Sequence, residues 1–275
     1  TRYDCWERTG FSFEEWSYIY EFANKLDMNL GFSIFSEQSF FRQKKLGNSF
    51  WKIGSGELLN DELIEIMIHN LGKEDTVVLS IGLSDFNYGL KICKKFSNIA
   101  NKVYLLECIS EYPCDLNKYN MQTWLKNYSQ IGENIFYGLS DHSGTIWPTI
   151  FSWSCGASLN EFHITFNKDL YGPDQKASLD PLDLQTLSAA KDAYIKLNSD
   201  YQDKDVLNKE KMKRLFGRSI GLRESLKKGH KIERNDLIMC KPAGGFEYNK
   251  IDSLLGKVLN QDVEFKELLK PSHFV

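Results

Sequence analysis

An alternation constrains this chain more than any other feature. Six short apolar runs recur at roughly 25-residue spacing, each followed by a helical pattern. The runs cover 30–35, 51–54, 76–81, 102–109, 135–139 and 161–166, and the helical segments 38–46, 61–70, 88–100, 121–129, 147–155 and 182–197. One more helix precedes them. Ser12-Phe13-Glu14-Glu15 has capping-box spacing, and Trp16, Ile19, Ala23 and Leu26 follow at helical intervals toward Asp27. Residues 1–10 are polar and aromatic and do not begin as a strand. The runs are apolar on both faces, as strands of a parallel sheet covered on each side must be.

Such an alternation is either a doubly wound sheet or a (β/α)8 barrel. Polar residues follow each strand: Ser33, then Ser55 and Glu57, Ser80, Ser110 and Tyr112, Ser140 and His142, and Glu161 and His163. A barrel gathers all its C-terminal strand ends around one pocket, whereas a doubly wound sheet concentrates its site at one switch point. The pattern therefore favours the barrel. A barrel needs eight strands and six are read here, so two strands and their helix are expected to precede Thr1 and to have been truncated. An open barrel would otherwise expose a sheet edge.

Residues 199–214 are charged and poor in large apolar side chains and read as a linker. It divides a barrel domain over 1–198 from a small β-rich module over 215–275, with strands at 218–222, near 232, at 236–239, 255–258 and 263–265. A module of that size has a modest core. The net charge of -3 gives no reason to expect nucleic acid or an anionic membrane as partner. No apolar run approaches the roughly 18 residues that span a bilayer. The six cysteines form no CxxC pair, which argues against a zinc ribbon or a disulfide framework. Cys108 and Cys155 read as small core hydrophobes. A reducing cytoplasm fits these features.

Period-two geometry groups the polar residues. Ser140 and His142 share one side of their strand, Glu161 and His163 one side of theirs, and Ser110 and Tyr112 do likewise. Two imidazoles from neighbouring strand ends can hold one divalent cation and leave positions open for water and substrate. A histidine near a strand end is, however, more often a satisfied polar residue. Asp141 is offset and suits an orienting role. In Lys52-Ile53-Gly54-Ser55-Gly56-Glu57, two glycines permit close backbone approach, lysine and serine suit a phosphate or carboxylate, and Glu57 would sit at a helix start. The same stretch is also what an ordinary strand-to-helix turn looks like. Asp174 reads as a loop residue, and His69, His230 and His273 as surface residues.

The ordered set Lys-Ile-Gly-Ser-Gly-Glu (52–57), Tyr-Pro (112–113), Gly-Leu-Ser-Asp-His-Ser (138–143), Glu-x-His (161–163) and Gly-Pro-Asp (172–174) resembles the sialic acid synthase family. That family includes N-acetylneuraminate, legionaminate and pseudaminate synthases and spore-coat polysaccharide synthases. The resemblance covers essentially the whole chain. It implies a (β/α)8 TIM barrel followed by an antifreeze-like SAF (β-clip) domain. It implies an enzyme that condenses phosphoenolpyruvate with an N-acyl hexosamine such as N-acetylmannosamine, giving a nine-carbon 2-keto acid and phosphate.

Carried over, the resemblance makes His142 and His163 ligands of Mn2+ or Mg2+ and Glu57 the group that orients water. Lys52, Ser55, Ser80, Ser110 and Ser140 would hold phosphoenolpyruvate. Tyr112, Glu161, Asp174 and Lys241 would meet the sugar. It further implies a homodimer in which one subunit's SAF domain covers the other's site. The chain departs from the family pattern at Ser33-Ile34-Phe35 (usually Ser-Thr-Pro) and Ser80-Ile81-Gly82 (usually Ser-Thr-Gly). It also departs at Ser110 (usually asparagine) and at Lys241, which replaces an arginine and lacks its planar fork. These changes and the absent start motivate an alternative, a non-catalytic relative that binds a sugar or a partner.

Overall fold

The computed structural model describes residues 2–199 and 206–274. Its internal contacts divide into two units, one up to Asn198 and one from Ser199 onward. In the first unit the helices α1 (Arg2–Thr9) and α2 (Phe13–Lys25) precede the first strand. The strands are β1 (Phe32–Ser33), β2 (Phe50–Ile53), β3 (Thr76–Ser80), β4 (Lys102–Cys108), β5 (Ile135–Asp141), β6 (Leu159–Ile164) and β7 (Ser178–Leu179). The helices between and after them are α3 (Glu37–Lys44), α4 (Asp61–Asn70), α5 (Phe86–Ser97), α6 (Met121–Tyr128), α7 (Trp147–Ser154) and α8 (Pro181–Leu197).

All seven strands pair in parallel, in chain order from β1 to β7. Consecutive parallel strands with helical crossovers fit an arc of a TIM-like barrel. A seventh strand replaces the expected six. β7 has only two residues, too few for a periodicity signal, and it is recruited through the His163–Ser178 and Ile164–Leu179 pairs. The expected capping box of α2 is present, with Ser12 and Glu15 bonded reciprocally at 2.7 and 3.1 Å. Residues 2–9 form a helix, consistent with their not reading as a strand.

Register divides each strand into two faces. Phe32, Trp51, Val77, Val103 and Ile135 stand level on one face, followed by Ile53, Leu79 and Leu105. These side chains are buried against Leu63, Ile64 and Met67 of α4 and Leu90, Ile92 and Phe96 of α5. The main core thus lies between the sheet and its helices. Trp51, fully buried, donates its indole N–H to Asp75 Oδ1 at 2.6 Å. The opposite parity carries Ser33, Lys52, Ser80, Cys108, Ser140, Glu161 and His163, and all seven line one cavity.

The second unit contains α9 (Val206–Phe216), β8 (Ser219–Leu222), β9 (Leu237–Cys240) and α10 (Ile251–Leu254). β8 and β9 pair antiparallel, and isolated bridges join Gly221 to Leu268, Leu226 to Val263, and Lys231 to Val258. Ile220, Leu222, Ile232, Leu254, Leu259, Val263 and Leu269 form its small core. Of the expected linker, 200–205 lie outside the described residues and 206–214 are helical. That segment is rich in Lys, Glu, Leu and Met, all good helix formers, and Gly217 closes it by donating to Lys213 O at 2.8 Å. His273 is not a surface residue. It is 4% exposed, with Nε2 3.6 Å from Glu267 Oε1. Among the described residues no helix is long and apolar enough to cross a membrane.

Candidate active site

The polar strand ends of the first unit surround a cavity of about 420 Å3. Its wall includes Lys52, Ser55, Ser80, Ser110, Tyr112, Ser140, His142, Glu161 and His163. The parity of each strand explains the convergence. β5 delivers Ser140 and, one residue beyond its end, His142; β6 delivers Glu161 and His163. Cys108, Ser140 and Glu161 stand level across three strands. Gly138 is needed here, because a Cβ at that position would lie 2.2 Å from Leu159 O and 2.5 Å from Leu106 Cδ2. The close approach of β5 and β6 therefore excludes a side chain.

One half of the cavity is an ammonium among hydroxyls. Lys52 is 9% exposed, with Nζ 3.5 Å from Glu161 Oε2 and donating to Ile53 O at 3.2 Å. Ser140 Oγ donates to Glu161 Oε1 at 3.3 Å. Ser55 Oγ accepts the Gly82 N–H at 2.9 Å and donates to Cys108 Sγ at 3.5 Å. Ser80 Oγ is buried with no protein partner, an unsatisfied group that a bound acceptor would complete. A Cβ on Gly82 would fall 2.4 Å from Ser110 Oγ and 2.8 Å from both Cys108 Sγ and Ser55 Oγ. The absence of a side chain there keeps this half open.

The other half is two imidazoles and a phenol. His142 Nδ1 donates to Ile109 O at 2.8 Å, which leaves Nε2 as the nitrogen with a free lone pair. The ring stacks on Tyr112 at 4.1 Å and stands edge-on to His163 at 5.3 Å between centroids. His163 Nδ1 lies 3.6 Å from Asp174 Oδ2. Burial pushes the His163 pKa below its ordinary value against the pull of Asp174, so this ring is neutral at neutral pH. Burial also opposes charge on His142, but Cys108 and the Ile109 carbonyl outweigh it and raise that pKa. Burial lifts the Tyr112 phenol to about 12.

Three expected residues stand apart from this wall. Glu57 is not at a helix start; it lies in the turn before α4, where Oε2 accepts from Asn60 Nδ2 at 2.9 Å. Asn60, not Glu57, is the N-cap. Asp174 reaches the site through His163. Lys241 belongs to the second unit, its ammonium 5.8 Å from the Phe216 ring centroid. Cys108, expected in the core, lines the cavity instead, 3.9 Å from His142 Nδ1. Its thiol is held below its ordinary pKa because bonds to His142 and Ser55 outweigh burial. The parity shared with Leu106 and Tyr104 could have placed it there. Cys155 is buried as expected, beside Trp124 and Tyr137.

Two imidazoles of this donor set could hold a cation. Among the described residues no three His, Cys, Asp or Glu side chains converge as a closed metal site. The two imidazoles each have Nδ1 facing an acceptor, so each has Nε2 available. This suits an open site completed by oxygen atoms of small molecules.

Comparison with known proteins agrees with this architecture. The N,N'-diacetyllegionaminic acid synthase of Legionella pneumophila is 30% identical over 273 residues, covering 96% of this chain and 74% of that protein. The pseudaminic acid synthase of Helicobacter pylori is 27% identical, covering 93% of this chain and 74% of that protein. The crystal structure of the N-acetylneuraminic acid synthetase of Leptospira borgpetersenii shares the fold. It superposes with a TM-score of 0.64 at 23% identity, covering 74% of this chain and 70% of that one. A profile of the NeuB family matches residues 1–202, and by that match and the identity to the Legionella synthase this chain belongs to the NeuB family.

Proposed function

We propose that this chain condenses phosphoenolpyruvate with an N-acyl hexosamine, giving a nine-carbon 2-keto sugar acid and inorganic phosphate. Membership of the NeuB family, whose matched relatives are named acid synthases, makes it a nonulosonic acid synthase. The observation that carries the finer reading is the pairing, in one cavity, of a buried lysine among hydroxyls with two imidazoles. Lys52, Ser55, Ser80, Ser110 and Ser140 suit the phosphate and carboxylate of phosphoenolpyruvate, since charge-assisted bonds in a shielded site are strong ones. His142 and His163 would hold Mn2+ or Mg2+. Such an ion supplies Lewis-acid polarisation of the acceptor's aldehyde.

In this reading carbon 3 of phosphoenolpyruvate bonds to the aldehyde carbon, whose oxygen takes a proton and becomes a hydroxyl. Water adds at carbon 2 and releases a proton. The bond from carbon 2 to the bridging oxygen then breaks, phosphate leaves, and the added oxygen becomes the keto group. Tyr112 and Glu161 face the acceptor from the cavity wall. Asp174 orients His163, and Glu57 braces the turn that carries Ser55. The second unit, as an SAF-type domain, would bring Lys241 to the acceptor in a homodimer. The mechanism predicts the fate of label from water. With 18O-labelled water, 18O enters the keto acid and the released phosphate contains none; label in the phosphate would contradict attack at carbon 2.

A further inference from the structure

We infer that Tyr119 is a positioning residue, whose hydroxyl fixes the His142 imidazole at the mouth of β5 for a divalent cation. This inference rests on the metal-binding role proposed above. The segment after β4 surrounds His142 with three bonds. Ile109 O accepts from the ring Nδ1 at 2.8 Å, and the Cys114 N–H donates to His142 O at 2.8 Å. The third bond is made by a side chain. Tyr119 Oη accepts the His142 N–H at 3.4 Å and donates to Asp141 Oδ1 at 2.5 Å.

The chain of donors runs one way, from amide to phenol to carboxylate. Asp141 is 1% exposed and is satisfied only through its neighbours: Ser143 donates to it from N at 2.9 Å and from Oγ at 3.1 Å. Ser143 Oγ in turn accepts the Thr145 N–H at 3.1 Å. The phenol has a packing partner of its own. Its ring packs edge-on to Trp124, which is 5% exposed, and Asn120 beside it caps α6 through the Thr123 N–H at 3.0 Å. Tyr119 thus ties the segment just before α6 to the His142 amide and to the carboxylate of the residue before it. Removing the hydroxyl leaves a buried amide without its acceptor and a buried carboxylate without its shortest donor. A ring that must present Nε2 to a cation tolerates only about 0.5 Å of displacement.

The test uses the full chain, stripped of metal and titrated with MnCl2, with free Mn2+ read by electron paramagnetic resonance. Wild type is expected to bind one Mn2+ per chain, and Tyr119→Phe to bind it about tenfold more weakly, the usual cost of losing an outer-shell partner. At saturating Mn2+ the variant's kcat is expected to recover, because the phenol touches no reacting atom. Equal Mn2+ affinity in the two proteins overturns the inference and leaves the proposed reaction standing. A wild type with no Mn2+ site removes both the inference and the metal role. Should Tyr119→Phe fail to fold, Asp141→Ala removes the acceptor that aims the phenol at the His142 amide, and unchanged affinity there overturns the inference equally.

Discussion

The His142→Ala variant is expected to release phosphate from phosphoenolpyruvate about 10³-fold more slowly than wild type, a loss of roughly 4 kcal/mol of transition-state stabilisation. The reason is geometric. In the proposed site the protein's ligands are two imidazoles, and one alone would hold the cation poorly. Chelation of the wild-type protein with EDTA should produce a loss of the same size, reversed by Mn2+. The two losses should not add, because they remove one interaction. Steady-state phosphate release by wild type and variant, each with and without EDTA, checks this. Full activity in His142→Ala, or a further loss on adding EDTA to it, would count against the metal role. The fold itself should persist, since the substitution deletes a ring at the cavity wall and leaves the sheet register untouched.

Gly82→Ala is expected to be comparably severe from the other half of the cavity. The added methyl meets Ser110 Oγ, Cys108 Sγ and Ser55 Oγ, all under 3.0 Å. These are short side chains that can rotate aside, so the chain survives, but two hydroxyls then leave the position proposed for the anion. A hydrogen bond to a charged group contributes about 1.5–3 kcal/mol, so losing two lowers kcat/KM for phosphoenolpyruvate by about 10³-fold. The effect should fall on phosphoenolpyruvate and leave Mn2+ affinity unchanged. A variant with wild-type kcat/KM would show that the anion does not lie against Gly82.

Much of the fold is legible because the physics behind it is local. The strands from Trp51 to Ile53, Thr76 to Ser80 and Ile135 to Asp141 declare themselves by apolar runs between turns. The start of α2 declares itself by the Ser12–Glu15 capping box. β7 does not, because two residues become a strand only when β6 offers them a partner. The helix over Val206–Phe216 is hidden for a different reason. A charged segment with strong helix propensity and a solvated linker have similar composition, and tertiary context decides between them.

The site is legible through parity and obscure where contacts are non-local. Ser140 with His142, and Glu161 with His163, share faces by sequence alone. Cys108 shares their parity too, yet a thiol beside Leu106 reads as core until Ser55 and His142 are seen against it. Glu57 reads as a helix start because Asp61 and Glu62 blur where α4 begins; only the Asn60 cap settles it. Tyr119 carries no local signal, since its partners Asp141 and His142 lie more than twenty residues away.

Acceptor-dependent phosphate release decides whether this chain carries out the proposed condensation. The full chain is incubated with phosphoenolpyruvate, Mn2+ and each of a panel of N-acyl hexosamines. Phosphate is measured continuously, and the organic product is weighed by mass spectrometry. Phosphate release is expected only when a suitable acceptor is present, matched one-to-one by a product whose mass equals acceptor plus phosphoenolpyruvate plus water minus phosphoric acid. Binding of phosphoenolpyruvate and sugar with no phosphate released for any acceptor, or phosphate released without the nine-carbon acid, would contradict it.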